Sequence, residues 1–286
     1  MYVLVLDYGS TNFKALVLKI EDDTKEGNVK IIGKERKGTT DFALFVNELL
    51  KNYHINKNEI EKIVVTGTGS SYLEDSFDDI EIIKINEFDA IAYGGLILSK
   101  KEKANIVSIG TGTAIVYSDF NIVKRIGGTG LGGGTLVGLG KAILSDVENG
   151  NMKVTSFKNL IEMAKLGDKS KVDLTIGDIN KDSIENMTKD ITAANFAAVN
   201  KSANVNDYIA AAVNMILENI SLIVSGLCDK NPIVYIGTMV EDNYIKNRLK
   251  EIAKYTGNEI YFIEDPSFAI VIGAWEYYFL KIRKNY

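Results

Sequence analysis

The chain is poor in the residues that most often build disulfide bridges and metal sites. Of its 286 residues one is cysteine, Cys228, and one is histidine, His54. A single cysteine excludes an intramolecular disulfide, and a single histidine excludes a His-rich metal cage and most acid–base schemes based on histidine. Cys228 ends a predicted helix and is expected to be a structural thiol. His54 lies in a polar segment and is expected at the surface.

An excess of positive charge and flexible linkers are also missing. The chain has 33 lysine and arginine residues against 38 aspartate and glutamate residues, a net charge of −5, and two prolines. A mildly acidic protein lacks the broad basic surface of a nucleic-acid binder, so any bound anion must be held locally. With 46% hydrophobic residues, 25% charged residues and a mean hydropathy of +0.01, the composition is typical of a globular protein with a large core.

Neither a long uninterrupted apolar run nor a secretory signal is present. The most apolar stretch, residues 208–227, contains five polar residues and is predicted to be a buried core helix instead of a membrane span. The first ten residues, MYVLVLDYGS, have no basic segment and no small-residue cleavage site. We therefore expect a soluble cytoplasmic protein with neither a membrane nor a nucleic-acid partner.

Short apolar runs alternate with segments of helical periodicity. The predicted strands are residues 2–6, 15–20, 29–34, 62–66, 106–109, 114–118 and 233–236. The predicted helices are residues 41–53, 87–99, 139–147, 206–227, 243–255 and 267–283. Interleaved strands and helices of this kind predict an α/β architecture with covered sheets.

Two segments about a hundred residues apart resemble each other. Residues 3–11, VLVLDYGST, precede a second strand at 15–20, and residues 105–113, NIVSIGTGT, precede a second strand at 114–118. Chance similarity of two hairpins is the alternative explanation. The pattern favours an internal duplication that gives two related lobes.

The turn in the first hairpin combines a carboxylate with hydroxyl groups. Residues 7–14 have the sequence DYGSTNFK. Magnesium needs few carboxylates because it keeps its waters, so Asp7 alone can serve it. Turn N–H groups, the Ser10 and Thr11 hydroxyls and the Lys14 charge suit phosphate oxygens. An ordinary hairpin with Asx and Ser/Thr turns is the alternative. The second turn, GTGT at 110–113, follows the same logic without a carboxylate.

The densest group of glycines is the strongest single signal. Residues 125–140 have the sequence RIGGTGLGGGTLVGLG. Glycine inside a helix costs about 1 kcal/mol relative to alanine, so we expect a loop that leads into a helix over 136–147 and directs free N–H groups at an anion. The block contains G-x-G-x-x-G, but not in an N-terminal strand–helix unit, and the chain has no P-loop G-K-[ST] triplet. Close helix packing through glycine is the alternative.

Two acidic residues open the helix predicted at 87–99. If Asn86 caps this helix, Glu87 and Asp89 lie in its first turn, where they stabilise the helix dipole. The alternative is that Glu87 is a catalytic base that faces the phosphate turns. The spacing is compatible with both functions.

Together these segments resemble the type II pantothenate kinases, members of the acetate kinase/sugar kinase/Hsp70/actin superfamily. The resemblance covers nearly the whole chain and is carried by residues 7–11, 87–90, 110–113, 125–140, 174–196 (ending ITAANF), 234–238 and 269–274. It implies a two-lobed actin-like (RNase H-like) α/β fold with a nucleotide cleft between the lobes. Each lobe would be a mixed sheet flanked by helices, the first over residues 1–100 and the second over 101–286.

The resemblance also implies an activity and a set of site residues. The activity is ATP-dependent phosphorylation of pantothenate to 4′-phosphopantothenate, the first step of coenzyme A biosynthesis, by a homodimer that uses Mg²⁺. Glu87 would accept the hydroxyl proton, Arg125 with Thr192 and Asn195 would lie near pantothenate, and Asp7 would hold hydrated Mg²⁺. The nucleotide contacts expected from the resemblance and from the two turns are Gly9, Ser10, Thr11, Lys14, Thr111, Gly112, Gly133, Gly134, Thr135, Leu136, Val137, Phe157 and Thr238.

One residue departs from the family pattern. Ser10 stands where the first turn of the family, Asp-x-Gly-Gly-Thr, has its second glycine, and the resulting form is similar to ATPases that activate radical or coenzyme-B12 enzymes. Two alternatives to a pantothenate kinase stay open, an activator ATPase of a partner enzyme and a sugar or amino-sugar kinase of the same fold. Hydrophilic segments at 22–28 and 146–154 are expected to be surface loops.

Overall fold

The fold is α/β, as predicted, in a computed structural model that describes residues 1–21, 29–38, 40–145, 156–179 and 189–283. The two predicted surface loops, at 22–28 and 146–154, lie outside these residues. The strands are β1 (Tyr2–Tyr8), β2 (Asn12–Ile20), β3 (Val29–Gly38), β4 (Ile60–Thr66), β5 (Ser76–Phe77), β6 (Ile80–Lys84), β7 (Ala104–Ile109), β8 (Thr113–Ser118), β9 (Val123–Thr129), β10 (Leu174–Thr175), β11 (Thr192–Ala194), β12 (Ile233–Ile236) and β13 (Ile260–Phe262). The helices are α1 (Phe42–Asn52), α2 (Glu87–Ser99), α3 (Gly133–Ser145), α4 (Phe157–Leu166), α5 (Ile176–Ile179), α6 (Val205–Leu227), α7 (Asn243–Thr256) and α8 (Ala269–Tyr277).

The chain divides into two compact units. One consists of Met1–Ile106, Val116–Arg125 and Ile263–Tyr286, and the other of Val107–Ile115 and Ile126–Phe262. The division into lobes at residue 100 stays a prediction.

The two large sheets, of six and five strands, share the order of four of their strands. The first is β3-β2-β1-β4-β6-β5, with β1 antiparallel to β2 and parallel to β4, and the second is β13-β12-β7-β8-β9. In the first sheet β1, β2 and β3 lie side by side, and β4 pairs with β1. In the second sheet β7, β8 and β9 lie side by side, and β12 pairs with β7. This shared order bears out the duplication predicted from the two hairpins.

In the first unit, the central strands are covered on both faces. Leu4 and Leu6 of β1 pack in one core with the apolar face of α1. Side chains alternate along a strand, so the equally buried Val3 and Val5 face the other way, where α8 contacts β1 and β4. Helix α8 in turn packs against α2, the helix that begins at Glu87.

In the second unit, the core forms around α6. This helix is long and apolar enough to cross a bilayer, but 67% of its most apolar window is buried inside the protein. It packs against α3, α4 and α7 and contributes Ile209, Val213 and Ile216 to the core of that unit. The prediction of a core helix at this place is confirmed.

The glycine-rich block differs from the predicted loop. Its first residues extend β9 as far as Thr129, and α3 begins at Gly133, three residues earlier than the predicted start at 136. Only residues 130–132 turn the chain. The loop prediction was therefore too long at both ends. The glycines at the start of α3 allow this helix to pack closely against the hairpin turn at 110–113. The predicted helix at 267–283 is also revised, because α8 begins at Ala269 and its end widens into a π-helical turn, Tyr278–Ile282.

Candidate active site

In the first unit, a buried ion pair lies at the end of β1. Asp7 is adjacent in register to Lys14 on β2, and the Lys14 Nζ lies 3.1 Å from Asp7 Oδ2. Asp7 and Lys14 are 5% and 7% exposed as residues. A buried ion pair is retained at a cost in desolvation, so its place at the first predicted phosphate turn favours a functional role. Lys14 was predicted as a charge for phosphate, and in this structure it also neutralises Asp7.

Glu87 interacts electrostatically with both members of this ion pair. Asn86 caps α2 by accepting a hydrogen bond from the Phe88 N–H at 2.8 Å, so Glu87 is the first helical residue. Burial raises the pKa of Glu87, the Asp7 carboxylate raises it further, and the Lys14 ammonium partly opposes the rise. The cap predicted at Asn86 is confirmed. A carboxylate whose pKa is raised by burial and by a like charge has the properties of a general base.

Arg125 lies against the first turn of α2. Its guanidinium carbon is 5.7 Å from the centre of the Phe88 ring, the residue that follows Glu87. A cation over a ring face is attracted by the ring quadrupole, and the contact restricts the long arginine side chain. The structure therefore brings together three of the predicted residues, Asp7, Lys14 and Glu87, through their charges, and holds Arg125 against the helix that begins at Glu87.

The sequence analysis missed the turn that follows β4. Thr66 is the register partner of Asp7, is fully buried, and its hydroxyl has no hydrogen-bond partner among the described residues. Gly67 follows with φ +89°, and a Cβ there would approach Asp7 Oδ1 to 2.6 Å. Only glycine fits this backbone and this contact. The glycine cluster at 67–69 was visible in the sequence, but nothing there indicated that it lies against Asp7.

These residues fit a hydrated Mg²⁺ better than a metal cage. Among the residues that the structure describes, no group of three or more His, Cys, Asp or Glu side chains is placed to hold a metal ion. One carboxylate oxygen of Asp7 is bonded to Lys14, and the register partner of Asp7 is Thr66, whose hydroxyl has no partner in the part of the chain that the structure describes. Magnesium commonly keeps several waters and uses one or two carboxylates plus substrate phosphates. This donor set therefore suits an ion bound mainly through water.

In the second unit, the hairpin turn at 110–113 and the start of α3 are joined. The Gly133 N–H donates to Gly110 O at 2.8 Å, and the Gly134 N–H donates to Thr111 O at 2.9 Å. A Cβ at Gly132 would lie 2.6 Å from the Thr111 carbonyl oxygen. The glycines at the start of α3 therefore allow two backbone segments to touch, which was the alternative explanation of the block.

This contact corrects one expectation about α3. The N–H groups of Gly133 and Gly134 were expected to be free for an anion, and they are instead bonded to the hairpin. Thr135 is also engaged, because its hydroxyl donates to Gly130 O at 2.8 Å. The reason is general: orphan N–H groups at a helix start find a carbonyl partner when one is close. An anion bound at this edge would contact a single surface, formed by the hairpin turn and the start of α3 together.

Other predicted nucleotide contacts lie near the same edge. A Cβ at Gly133 would lie 3.6 Å from Met239 and 3.7 Å from Phe157. Thr238 precedes Met239 and follows Gly237, whose φ is +100° and whose missing Cβ would clash with Ile109 O at 2.5 Å. Gly237 thus occupies in this sheet the place that Gly67 occupies in the first. The structure groups Thr111, Gly133, Phe157 and Thr238 in one region of the second unit.

Thr192 and Asn195 lie on or next to strand β11 of the second unit. The Asn214 Nδ2 donates to Thr192 Oγ1 at 2.9 Å, and Asn214 also contacts Asp173 and Glu218. The Asn195 Oδ1 is buried and has no partner among the described residues. Asn214 and Glu218 are two of the five polar residues that interrupt the apolar stretch at 208–227. Their spacing of four residues was the available signal that they share one face.

The single cysteine and the single histidine are outside these sites. Burial, with the charge of Asp229, raises the pKa of the Cys228 thiol to about 11, which agrees with a structural thiol because little reactive thiolate forms at neutral pH. His54 is exposed, as predicted.

Solved structures of low sequence identity share the fold. An activator of 2-hydroxyisocaproyl-CoA dehydratase from Clostridium difficile with bound ADPNP matches with a TM-score of 0.63 at 18% identity, over 100% of this chain and 97% of that chain. A ROK family glucokinase from Streptomyces griseus in complex with glucose and AMPPNP matches with a TM-score of 0.59 at 11% identity, over 96% and 98%. The chain therefore has the actin-like ATPase fold, and the predicted fold class is confirmed.

Sequence comparison defines the family within this fold. The model of the family described as Fumble matches residues 105–275. A type II pantothenate kinase from Bacillus anthracis is 31% identical over 235 residues, 78% of this chain and 82% of the relative. A type II pantothenate kinase from Staphylococcus aureus (strain bovine RF122 / ET3-1) is 29% identical over 277 residues, 90% of this chain and 98% of the relative. The chain belongs to the Fumble family and is a kinase of the pantothenate kinase type, which confirms the resemblance.

Proposed function

We propose that this chain transfers the γ-phosphoryl group of ATP to the primary hydroxyl of pantothenate and so forms 4′-phosphopantothenate, the first step of coenzyme A biosynthesis. Family membership supports the kinase class, and the names of the relatives support the acceptor. The structural observation that carries the proposal is Glu87, a carboxylate with a raised pKa beside the Asp7–Lys14 ion pair.

Glu87 is the proposed general base. It accepts the proton of the attacking hydroxyl, and its raised pKa makes it a stronger proton acceptor than an ordinary carboxylate. Phosphoryl transfer asks the protein mainly for positioning and charge stabilisation, so one base and a correctly placed hydroxyl meet most of the chemical need. Arg125, restrained by the Phe88 ring, supplies positive charge for the pantothenate carboxylate.

We propose further that two groups of residues bind the nucleotide. In the first unit, Asp7 holds hydrated Mg²⁺, which neutralises phosphate charge when bound, and Gly9, Ser10, Thr11 and Lys14 contact phosphates. In the second unit, the grouping of Gly133, Phe157 and Met239, the neighbour of Thr238, supports a nucleotide contact at that edge. The remaining proposed contacts are Thr111, Gly112, Gly134, Thr135, Leu136 and Val137. We also propose a cytoplasmic homodimer.

A coupled assay of ADP release tests the acceptor. The purified protein is given MgATP with pantothenate, pantetheine, glucose or N-acetylglucosamine, and products are identified by mass spectrometry. We expect ADP and phosphopantothenate in equal amounts with pantothenate, and no phosphorylated sugar. Glu87→Gln is the control for a signal from a contaminating kinase.

The same assay tests a second candidate function, an ATPase that activates a partner enzyme, because the fold is similar to that of a dehydratase activator. Such a protein would release ADP without a phosphorylated small molecule. ADP release that is independent of every acceptor would therefore refute the kinase proposal in favour of an activator ATPase. Phosphorylated glucose or amino sugar would refute it in favour of a sugar kinase.

A further inference from the structure

A cluster of buried polar side chains lies between α6, α7 and the segment that leads to β11. Asp173 is 0%, Asn214 3% and Glu218 5% exposed. Arg248 of α7 donates from Nε to Asn214 Oδ1 at 2.8 Å and from Nη2 to Glu218 Oε1 at 3.2 Å. Tyr255 also donates to Glu218 Oε1, at 3.0 Å. Buried charges cost desolvation energy even when they are paired, so the cluster is poorly explained by stability alone.

The cluster holds the strand that contains Thr192. Asn214 Nδ2 donates to Thr192 Oγ1 at 2.9 Å and also contacts Asp173 Oδ2 at 3.3 Å and Glu218 Oε2 at 3.1 Å. Lys169 donates to the carbonyl oxygen of Asp190, two residues before Thr192, at 3.0 Å. The Thr192 N–H also donates to Glu218 Oε1 at 3.5 Å, so the start of β11 is attached to the cluster through both its backbone and its side chain.

The backbone after β11 is also restrained. Phe196 has φ +59°, an uncommon conformation for a bulky residue, and its N–H donates to Asp173 Oδ1 at 2.9 Å. Asn195 immediately precedes this residue, and its Oδ1 is buried without a partner among the described residues. Backbone in a sparsely populated conformation persists where the surroundings impose it, and such places concentrate at binding sites.

The bond from Asn214 fixes the direction of the Thr192 hydroxyl. A threonine oxygen that accepts a hydrogen bond keeps its own O–H for donation elsewhere. The Arg248 Nε donates to Asn214 Oδ1, which leaves the amide nitrogen Nδ2, a group that can only donate, to face Thr192 Oγ1. The arrangement presents Thr192 as a hydrogen-bond donor and leaves the Asn195 carbonyl oxygen as an acceptor.

We infer that Asn214 is a positioning residue for the acceptor substrate, with Asp173 and Arg248 as its supports. It orients the Thr192 hydroxyl and fixes β11 so that Thr192 and Asn195 offer one donor and one acceptor to the polar groups of the acceptor. The inference rests on the proposed function, because Thr192 and Asn195 are the proposed acceptor contacts. Asn214 itself touches neither substrate.

The test compares Asn214→Leu, Thr192→Val and the double variant by steady-state kinetics. We expect each single variant to raise the pantothenate KM about tenfold, as for one lost hydrogen bond, with the ATP KM within twofold of wild type. Because Asn214 acts through Thr192, the pantothenate KM of the double variant should be no higher than that of the more impaired single variant. Thr192→Ser, which keeps the hydroxyl, should retain a KM near wild type.

A matched control separates positioning from lost stability. Asp207 is a buried carboxylate at the start of the same helix that accepts from the Asn204 and Asp168 N–H groups. Asp207→Ala should lower the thermal midpoint without changing the pantothenate KM. If Asn214→Leu does not fold, Asn214→Ala replaces it, because it removes the donor to Thr192 without adding bulk or a charge beside Asp173 and Glu218; the same rise in KM is expected.

Three outcomes would overturn the inference. They are an unchanged pantothenate KM in a folded Asn214 variant, additive effects in the double variant, and an equal rise in KM in Asp207→Ala. A wild-type protein that does not turn over pantothenate would refute the proposed function itself, and that result is obtained before any variant is compared.

Discussion

Replacement of Gly94 by alanine tests how closely the helix of the proposed base must pack. A Cβ at Gly94 of α2 would lie 2.0 Å from the carbonyl oxygen of Ala269 in α8, and a Cβ at Gly273 would lie 1.9 Å from the carbonyl oxygen of Ala90. Ordinary contact begins at about 3.4 Å, so the helices would have to separate by about 1.4 Å. No rotamer change relieves this clash, because the opposing atom belongs to the backbone.

The cost follows from these distances. Overpacking of this kind costs about 1–3 kcal/mol or more, and the helix propensity of alanine returns about 1 kcal/mol. A net loss of about 2 kcal/mol corresponds to a fall of roughly 4–8 °C in thermal midpoint for a protein of this size. Because α2 begins at Glu87, a shift of about 1 Å at the base should also lower kcat by about a hundredfold.

The assay is thermal unfolding followed by circular dichroism, with kcat measured on the same preparation at a temperature where the variant is folded. The matched control is Gly226→Ala in α6, where an added Cβ meets nothing within 4 Å. That control should keep its kcat and gain slightly in midpoint. A Gly94→Ala protein with the midpoint and kcat of wild type would refute the argument that contact between α2 and α8 sets the place of the base.

Three further predictions concern the first unit. Glu87→Gln should lower kcat by about 10²–10⁴-fold with ATP affinity near wild type, as measured by turnover and calorimetry. It should also raise the thermal midpoint at pH 8 but hardly at pH 4, because a raised folded pKa means that the wild type loses stability as pH rises above 4.5, the ordinary pKa of glutamate, whereas glutamine does not titrate. Equal midpoints at pH 8 would contradict this. Lys14→Met should move the acid limb of the pH–rate profile to higher pH, because the Lys14 charge lowers the Glu87 pKa; an unmoved limb would show that the two groups are uncoupled. Thr66→Val should raise the midpoint of the ligand-free protein, since it removes an unsatisfied hydroxyl, and weaken Mn²⁺ binding to the ADP complex in spin-resonance titrations; unchanged Mn²⁺ binding would exclude Thr66 from the metal site.

The sequence predicted the elements of the fold well where the local pattern determines the structure. Helix α2 has the predicted bounds, 87–99, because Asn86 supplies a cap and the apolar residues continue to its end. The start of α3 was misplaced because glycine propensity argued against a helix, whereas the bonds from Gly133 and Gly134 to the hairpin stabilise one. Propensity is a local quantity, and contact between segments distant in sequence overrides it.

The site was predictable to the extent that its residues follow each other in the chain. Asp7 and Lys14 were found because one hairpin contains both. Thr66 was not found, because its place beside Asp7 depends on a parallel strand pairing across more than fifty residues of sequence. The contact between Asn214 and Arg248 was not predicted for the same reason, because it joins two helices that are distant in sequence.

The joined hairpin and helix of the second unit have a consequence for the energetics of recognition. Because Gly133 and Gly134 already bind the turn at 110–113, its backbone is ordered when the chain folds. A ligand that binds there does not have to order the loop. Its affinity would therefore depend mainly on how well its shape and charge match this surface. Conversely, a substitution that disrupts either bond should weaken binding at this edge, because the ligand would then have to order the turn.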